Sequence, residues 1–239
     1  MAKILVTGGA GFIPSSLADG LLLENHEVVI VDNLVTGKKE NIPNHENCTF
    51  FNCDVNKYNE IAEIMLLHKF DIVFHYAALV GVKRTLANPI GVLDDIDGIK
   101  NILNLCVKTG VQRVFYSSSS EVYGEPVSLP QHEIETPLNS RLPYAIVKNV
   151  GEAYLKSYQR EFGLEYTIFR FFNTYGPKQS REFVISRFLS MALQNQDITI
   201  YGDGSQTRTF CFIQDNIDAC YAAFKNDLYI NDVVNIGGG

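Results

Sequence analysis

The sequence predicts an α/β protein built on a parallel, doubly wound sheet, and three observations lead there. Short apolar runs alternate with stretches of helical period through most of the 239 residues, without a repeat or low-complexity tract. The first run ends at Thr7 in a glycine turn, Gly8-Gly-Ala-Gly11, that opens directly into an apolar helix. Polar groups, Asp32, Asp54, His75 and the serines from Ser117 to Ser120, stand at the ends of successive runs, where such sheets carry their sites.

Taken in order, residues 4–7 and 28–32 read as the first two strands and residues 48–54 as the third. Asp54 closes that strand and suits two roles, the N-cap of a helix over residues 57–68 or a contact for an adenine ring. A fourth strand, residues 71–75, opens into Tyr76-Ala77-Ala78, where small side chains let a ligand approach the backbone. Val92, Leu93, Ile96, Ile99, Leu103 and Cys106 keep helical spacing and predict one helix over residues 88–109, with Gly110 as its C-cap.

A fifth strand over residues 111–117 runs into the serines, and residues 125–142, polar and carrying three prolines, read as an active-site rim. A long amphipathic helix over 144–162 and a sixth strand over 165–172 complete the first unit. Beyond Asn173 the pattern predicts a helix over 182–194, a short strand, a Gly202-Asp-Gly204 turn, a strand, a helix over 215–225 and a last strand near Val233. The expected division is a cofactor-binding domain over residues 1–172 and a small substrate lobe over residues 173–239, interleaved with the last sheet strands.

Composition narrows the function. With 46% hydrophobic residues the chain can bury a large core, and a net charge of −7 with no basic stripe argues against a nucleic-acid binder. The first strand begins at residue 4 and no run is long enough to cross a bilayer, so the expectation is a cytoplasmic protein with no membrane partner. Five cysteines, Cys48, Cys53, Cys106, Cys211 and Cys220, form no Cys-x-x-Cys pair and read as buried thiols. Five scattered histidines lack ligand spacing, so no metal site is expected.

The glycine turn sets the ligand class. Gly8 and Gly11 let the backbone approach a pyrophosphate, and the amides of Phe12 and Ile13 lie at the positive end of a helix dipole. Asp32, about 20 residues past the glycines, is placed to accept a ribose 2′-hydroxyl, which favours NAD over NADP. Lys38 and Lys39 follow closely and offer the competing site for a 2′-phosphate.

Tyr144-Ala-Ile-Val-Lys148 puts a phenol and an ammonium on one helix face. An ammonium roughly 4 Å from a phenol, at an effective dielectric of about 20, is worth about 4 kcal/mol, or about three pKa units. The pair therefore predicts an acidified tyrosine that takes a proton from a sugar hydroxyl while hydride leaves for NAD, beside a serine one loop away.

These pieces together resemble the extended short-chain dehydrogenase/reductase superfamily, whose members include NAD-dependent nucleotide-sugar epimerases, dehydratases and decarboxylases. The matching segments are Thr7-Gly8-x-x-Gly11, Asp32-Asn33, Asp54-Val55, His75-x-Ala77-Ala78, Ser119-Ser120-Glu121-Val122-Tyr123-Gly124, Tyr144-x-x-x-Lys148, Arg170-Phe-Phe-Asn173-x-Tyr175-Gly176-Pro177 and Gly202-Asp-Gly-Ser-Gln-Thr-Arg208. The resemblance implies a Rossmann-like fold. It also implies that Ser119 and Tyr144 hold the sugar 4-hydroxyl, that Lys148 binds the nicotinamide ribose and tunes Tyr144, and that Asn173 and Arg208 meet the sugar diphosphate. Asn33, Asp54, Val55, Ala77 and Ala78 join Gly8, Gly11, Phe12, Ile13 and Asp32 as implied cofactor contacts. The helices over 88–109 and 144–162 resemble the family's four-helix dimer interface and imply a homodimer.

Dehydratases of the superfamily use an Asp-Glu pair where this chain has Ser120-Glu121, which counts against dehydration. The leading expectation is a nucleotide-sugar 4-epimerase, with a UDP-glucuronate decarboxylase as alternative, since the Ser-Glu pair resembles those enzymes. Three departures stand out. Pro14 replaces the third glycine and is expected to weaken NAD binding; Asp95 replaces the usual asparagine and adds charge near Lys148; and the sequence reaches Gly239 without the further helices of the substrate lobe. The last departure implies either a fragment of a longer chain or a trimmed lobe, and it keeps a third reading, a degenerate NAD-binding protein without enzymatic activity.

Overall fold

The computed structural model describes residues 1–200 and 202–238, apart from the side chains of residues 82 and 83. Its strands are β1 (Lys3–Thr7), β2 (Glu27–Asp32), β3 (Cys48–Asn52), β4 (Ile72–His75), β5 (Arg113–Ser119), β6 (Glu165–Phe171), β7 (Asn173–Tyr175), β8 (Phe210–Phe212) and β9 (Asp232–Ile236). Seven of them form a parallel sheet in the order β3-β2-β1-β4-β5-β6-β9. The strand order turns back between β1 and β4, which opens a crevice at their carboxyl ends. The sheet is Rossmann-like, as the sequence predicts.

Successive residues of each strand pack to opposite faces, so both faces are apolar and the strands read as continuous hydrophobic runs. Leu5, Val29, Val73 and Val114 face one core, shared with helices α2 (Tyr58–His68), α5 (Asp95–Thr109) and α6 (Pro143–Phe162). Ile4, Val6, Ile30, Phe74 and Phe115 face the other, shared with α1 (Phe12–Leu23) and α8 (Ile213–Lys225). Phe74 and Phe115 stack there with ring centroids 4.5 Å apart. Gly110 and Gly163 end α5 and α6 in the left-handed conformation, at φ 78° and 73°, where a β-carbon would be strained.

Several boundaries differ from the sequence reading. The single helix expected over 88–109 is two, α4 (Pro89–Leu93) and α5, parted at Asp94, and a short α3 (Val82–Ala87) precedes them. The Asn88 side chain accepts from the Gly91 amide and Pro89 starts α4, and the Asp95 carboxylate, on the first residue of α5, accepts from the Leu79 amide at 2.7 Å. Asp54 is not the N-cap of α2. Lys57 occupies that position, and Asp54 instead accepts from the Asn56 amide at 3.1 Å in a local turn.

After β6 the chain leaves the sheet. Strands β7 and β8 pair in parallel as a separate two-stranded sheet, and β9 then returns to flank β6. Helix α7 (Val184–Leu193) begins two residues later than the pattern predicts. The short strand expected before Gly202 is not formed by residues 197–200, and Tyr201 and Gly239 lie outside the described residues.

Candidate active site

The cleft at the carboxyl edge of β1, β4 and β5 encloses about 610 Å³. Its floor is the glycine turn. Gly8 sits at φ 69°, and a β-carbon there would come within 2.8 Å of the Ala77 backbone, so only glycine allows β1 and the loop after β4 to meet this closely. Thr7 secures the contact: its hydroxyl oxygen accepts from the amides of Tyr76 and Ala77, and the hydroxyl pairs with His75 Nδ1 at 2.9 Å. Full burial, and secondarily the charge of Lys148, pulls His75 down to about 3, so the ring is neutral at physiological pH.

The first-turn amides of a helix have no acceptor within it. In α1 those at the cleft belong to Phe12 and Ile13, because Pro14 has no N–H and the Ser15 amide bonds to the Gly11 carbonyl. Pro14 is buried but lines the cleft beside the turn, its ring 3.4 Å from where a Gly11 β-carbon would lie. Asp32 ends β2 with its carboxylate held by the Ala10 amide at 3.0 Å and the Leu34 amide at 2.7 Å, which leaves lone pairs for a diol. Burial raises its pKa, and those two amides oppose the shift. Asn33, Asp54, Val55 and Ala78 line the same wall. A cradle that only glycine fits, two open amides and an oriented carboxylate match a dinucleotide's pyrophosphate and ribose.

Across the cleft, β5 and α6 bring the predicted chemistry together. Lys148 is 2% exposed; its ammonium donates to the Ser117 hydroxyl at 3.2 Å and lies 5.1 Å and 5.7 Å from the ring centroids of Tyr116 and Tyr144. Burial lowers Lys148 to about 8, with the Asp95 carboxylate raising it. Tyr144 stands half-buried in the wall beside the Ser119 hydroxyl.

Its phenol does not follow the acidification expected from spacing alone. Burial pushes the phenol pKa well up, the Ser119 bond draws it down, and the charges of Glu121 and Asp95 push it up further. Desolvation and the two acids, neither of which the Tyr-x-x-x-Lys spacing records, set the direction. Asp95 is itself raised by burial, against hydrogen bonds from Leu79 and Asn56.

Ser120 and Glu121 occupy a 3-10 turn, Ser120–Tyr123, directly after β5 and line the cleft. Asn173 also lines it, and its side-chain amide donates to the Thr209 carbonyl at 3.0 Å. Arg208 is the predicted residue the structure does not bring in: it is exposed, outside the cleft lining, and its guanidinium donates to its neighbour's carbonyl, Thr207 O, at 2.7 Å. Sequence reasoning missed Ser117 as the partner of Lys148, and Phe183, Val184 and Ile185 as cleft lining. Four adjacent serines carry no signal for which one meets the lysine. No group of metal ligands occurs among the described residues, and none of their helices is long and apolar enough to cross a membrane.

The model of the NAD-dependent epimerase/dehydratase family matches residues 4–237, and the chain belongs to that family. A Methanocaldococcus jannaschii protein with a provisional UDP-glucose 4-epimerase name is 41% identical over 99% of this chain and 77% of its own length. The UDP-N-acetyl-alpha-D-glucosaminuronate decarboxylase of Bacillus cytotoxicus is 38% identical over 98% and 74%. Among solved structures, UDP-glucose 4-epimerase of Thermotoga maritima with UDP-glucose superposes with a TM-score of 0.93 at 34% identity, covering 98% of this chain and 76% of that one. The chain thus spans about three-quarters of these relatives. The cofactor is NAD, in agreement with the cradle.

Proposed function

We propose that this chain is a nucleotide-sugar 4-epimerase that acts on a UDP-sugar through a 4-keto intermediate. The observation that carries the reading is the convergence of Ser119, Tyr144 and Lys148 on the wall facing the glycine cradle. Tyr144 accepts the proton of the sugar 4-hydroxyl when the positive charges of Lys148 and of a bound nicotinamide ring offset the burial that holds its phenol high, and the adjacent Ser119 hydroxyl orients that oxygen. The buried Lys148 ammonium supplies the positive charge that favours the phenolate, and Asp95 keeps that ammonium charged. NAD held on the glycine cradle would supply the hydride acceptor for carbon 4 and, once the 4-keto sugar has turned its other face toward it, the hydride donor. Tyr144 then gives its proton back to the same oxygen, and the configuration at carbon 4 is the only net change.

In this reading residues 1–172 hold the cofactor and the Tyr144/Lys148 site, and residues 173–239 contribute to the sugar diphosphate pocket through Asn173. Arg208 reaches the diphosphate only after its loop moves inward. Two copies pair through the outer faces of α5 and α6, where Val107, Ile146 and Phe162 are exposed, and sedentation to a dimer mass by equilibrium ultracentrifugation checks this.

A second reading, UDP-glucuronate decarboxylase, is favoured by Glu121 and Ser120 at the cleft and by the decarboxylase relative. Incubation with NAD and UDP-glucose, UDP-N-acetylglucosamine or UDP-glucuronate, followed by product mass and sugar analysis, separates the two. An isomer of unchanged mass supports the epimerase; loss of carbon dioxide from the uronate supports the decarboxylase; no turnover with NAD still bound leaves a non-enzymatic NAD-binding protein.

A further inference from the structure

Behind the catalytic wall lies an ion pair that the chemistry above does not use. Glu152 and Arg170 are 1% and 2% exposed and meet fork to fork, Nε to Oε1 at 2.9 Å and Nη2 to Oε2 at 2.7 Å. A buried pair of this kind is weak evidence for stability, because well-packed apolar side chains of the same volume serve as well. Its connections are more telling than its charge.

One set runs to the catalytic groups. Tyr144, Lys148 and Glu152 are four residues apart on α6 and share one stripe of the helix. Three consecutive residues of β5 meet them: Ser117 bonds to Lys148 at 3.2 Å, Ser118 bonds to Glu152 at 2.6 Å, and Ser119 lies beside Tyr144. The Ser118 link is the shortest of the measured ones, and its acceptor is the one anchored to a third element, since Arg170 stands on β6 in register with Ser118. The axial position of α6 against β5, and with it the reach of the Tyr144 hydroxyl, is therefore pinned at Glu152.

The other set runs to the rim. Arg170 Nη1 donates to the Tyr123 hydroxyl at 2.8 Å and to the Glu133 carbonyl at 3.0 Å, and the guanidinium lies 4.9 Å from the Tyr123 ring centroid. Tyr123 donates onward to Asn235 Oδ1 at 2.7 Å, and the Asn235 backbone amide donates to Glu133 Oε1 at 2.8 Å. Tyr123 closes the turn that carries Ser120 and Glu121, and Glu133 lies in the connection over residues 125–142. One guanidinium thus ties the catalytic helix, the serine strand and the rim of the cleft.

We propose that Glu152 and Arg170 are a positioning pair that sets the register of the Ser119–Tyr144–Lys148 group through Ser118 and the placement of the substrate rim through Tyr123. The proposal rests on the reading of Tyr144 as the proton acceptor and predicts that the two arms separate kinetically. Removing either charge risks the fold, so the variants cut one arm each and leave the pair in place.

Ser118→Ala is expected to lower kcat about tenfold with KM for UDP-glucose within about twofold, because Tyr144 is misplaced while the rim stays intact. Tyr123→Phe is expected to raise KM about fivefold with kcat within about twofold. Amide hydrogen exchange read by mass spectrometry adds a measurement that needs no turnover: exchange over residues 125–142 quickens in Tyr123→Phe and is unchanged in Ser118→Ala. The proposal is overturned if both variants leave kcat, KM and exchange at wild-type values, or if both loosen the whole sheet and shift the two constants alike. Should the wild-type protein turn over no nucleotide sugar, the functional reading fails on its own, and exchange confined to residues 125–142 in Tyr123→Phe still decides for or against the pair.

Discussion

The two walls of the cleft are built on different terms. On the β5/α6 side, Lys148, Ser117, Ser118, Ser119 and Glu152 are buried and hydrogen-bonded to groups on neighbouring elements. On the α7 side, no described residue between 181 and 210 is buried, and Leu189, Leu193 and Ile200 are 59%, 84% and 64% exposed. The difference teaches where pre-organisation lies. The wall that carries Tyr144 and Lys148 borrows its rigidity from the central sheet, whereas the wall built on α7 presents apolar surface with no buried residue of its own to hold it.

That contrast can be broken or sharpened by substitution. The largest effect is expected at Tyr144→Phe, which removes the proton acceptor and should lower kcat about 10²–10⁴-fold with NAD affinity nearly unchanged. Wild-type turnover in this variant, measured by product analysis, removes Tyr144 from the chemistry. Next comes Phe115→Ala in the stacked core beneath β5, expected to cost about 3–5 kcal/mol in denaturant unfolding; a loss under about 1 kcal/mol would mean the sheet does not supply the rigidity.

Asp95→Asn tests the electrostatics of the proton-handling wall. Asp95 raises both Lys148 and Tyr144, so removing its charge lets the lysine fall below about 8 and lowers the phenol as well. Both limbs of the pH profile of kcat/KM should therefore move to lower pH, by about one unit. A profile that stays put, or moves up, shows that Asp95 acts as a hydrogen-bond acceptor for Leu79 and not through its charge.

Pro14→Gly is a smaller step. Restoring a third amide at the helix start is expected to tighten NAD binding about threefold, read by calorimetry, and an unchanged dissociation constant would show the ring to be harmless. The smallest effect belongs to the exposed wall: Leu193→Ala on α7 should change stability by less than about 0.5 kcal/mol. A larger loss would mean that α7 is held by packing after all.

Much of this was legible in the residues. The alternation of strands and helices, the glycine turn, Asp32 at the end of β2 and the Tyr144/Lys148 stripe all fall where local pattern placed them, because period and turn chemistry act over a few residues. Boundaries failed where a hydrogen bond that the pattern does not record competed with the expected one. Asp95 accepts from the distant Leu79 amide beside the break at Asp94, and Asp54 is drawn into a local turn with Asn56 that leaves Lys57 at the start of α2. Arg208 was placed by a motif, and motif spacing carries no information about whether an exposed loop folds inward.

By itself the sequence determined the layered architecture, the dinucleotide cradle and the residue types available for proton transfer, since each is encoded in contiguous stretches. Only the tertiary structure decided that Ser117 and not a neighbour meets Lys148, that Arg170 and Glu152 lock β6 to α6, and that burial drives the Tyr144 phenol up rather than down. The reason is common to all three. Desolvation and partner choice depend on what surrounds a group once residues far apart in the chain have come together, and no local pattern records that surrounding.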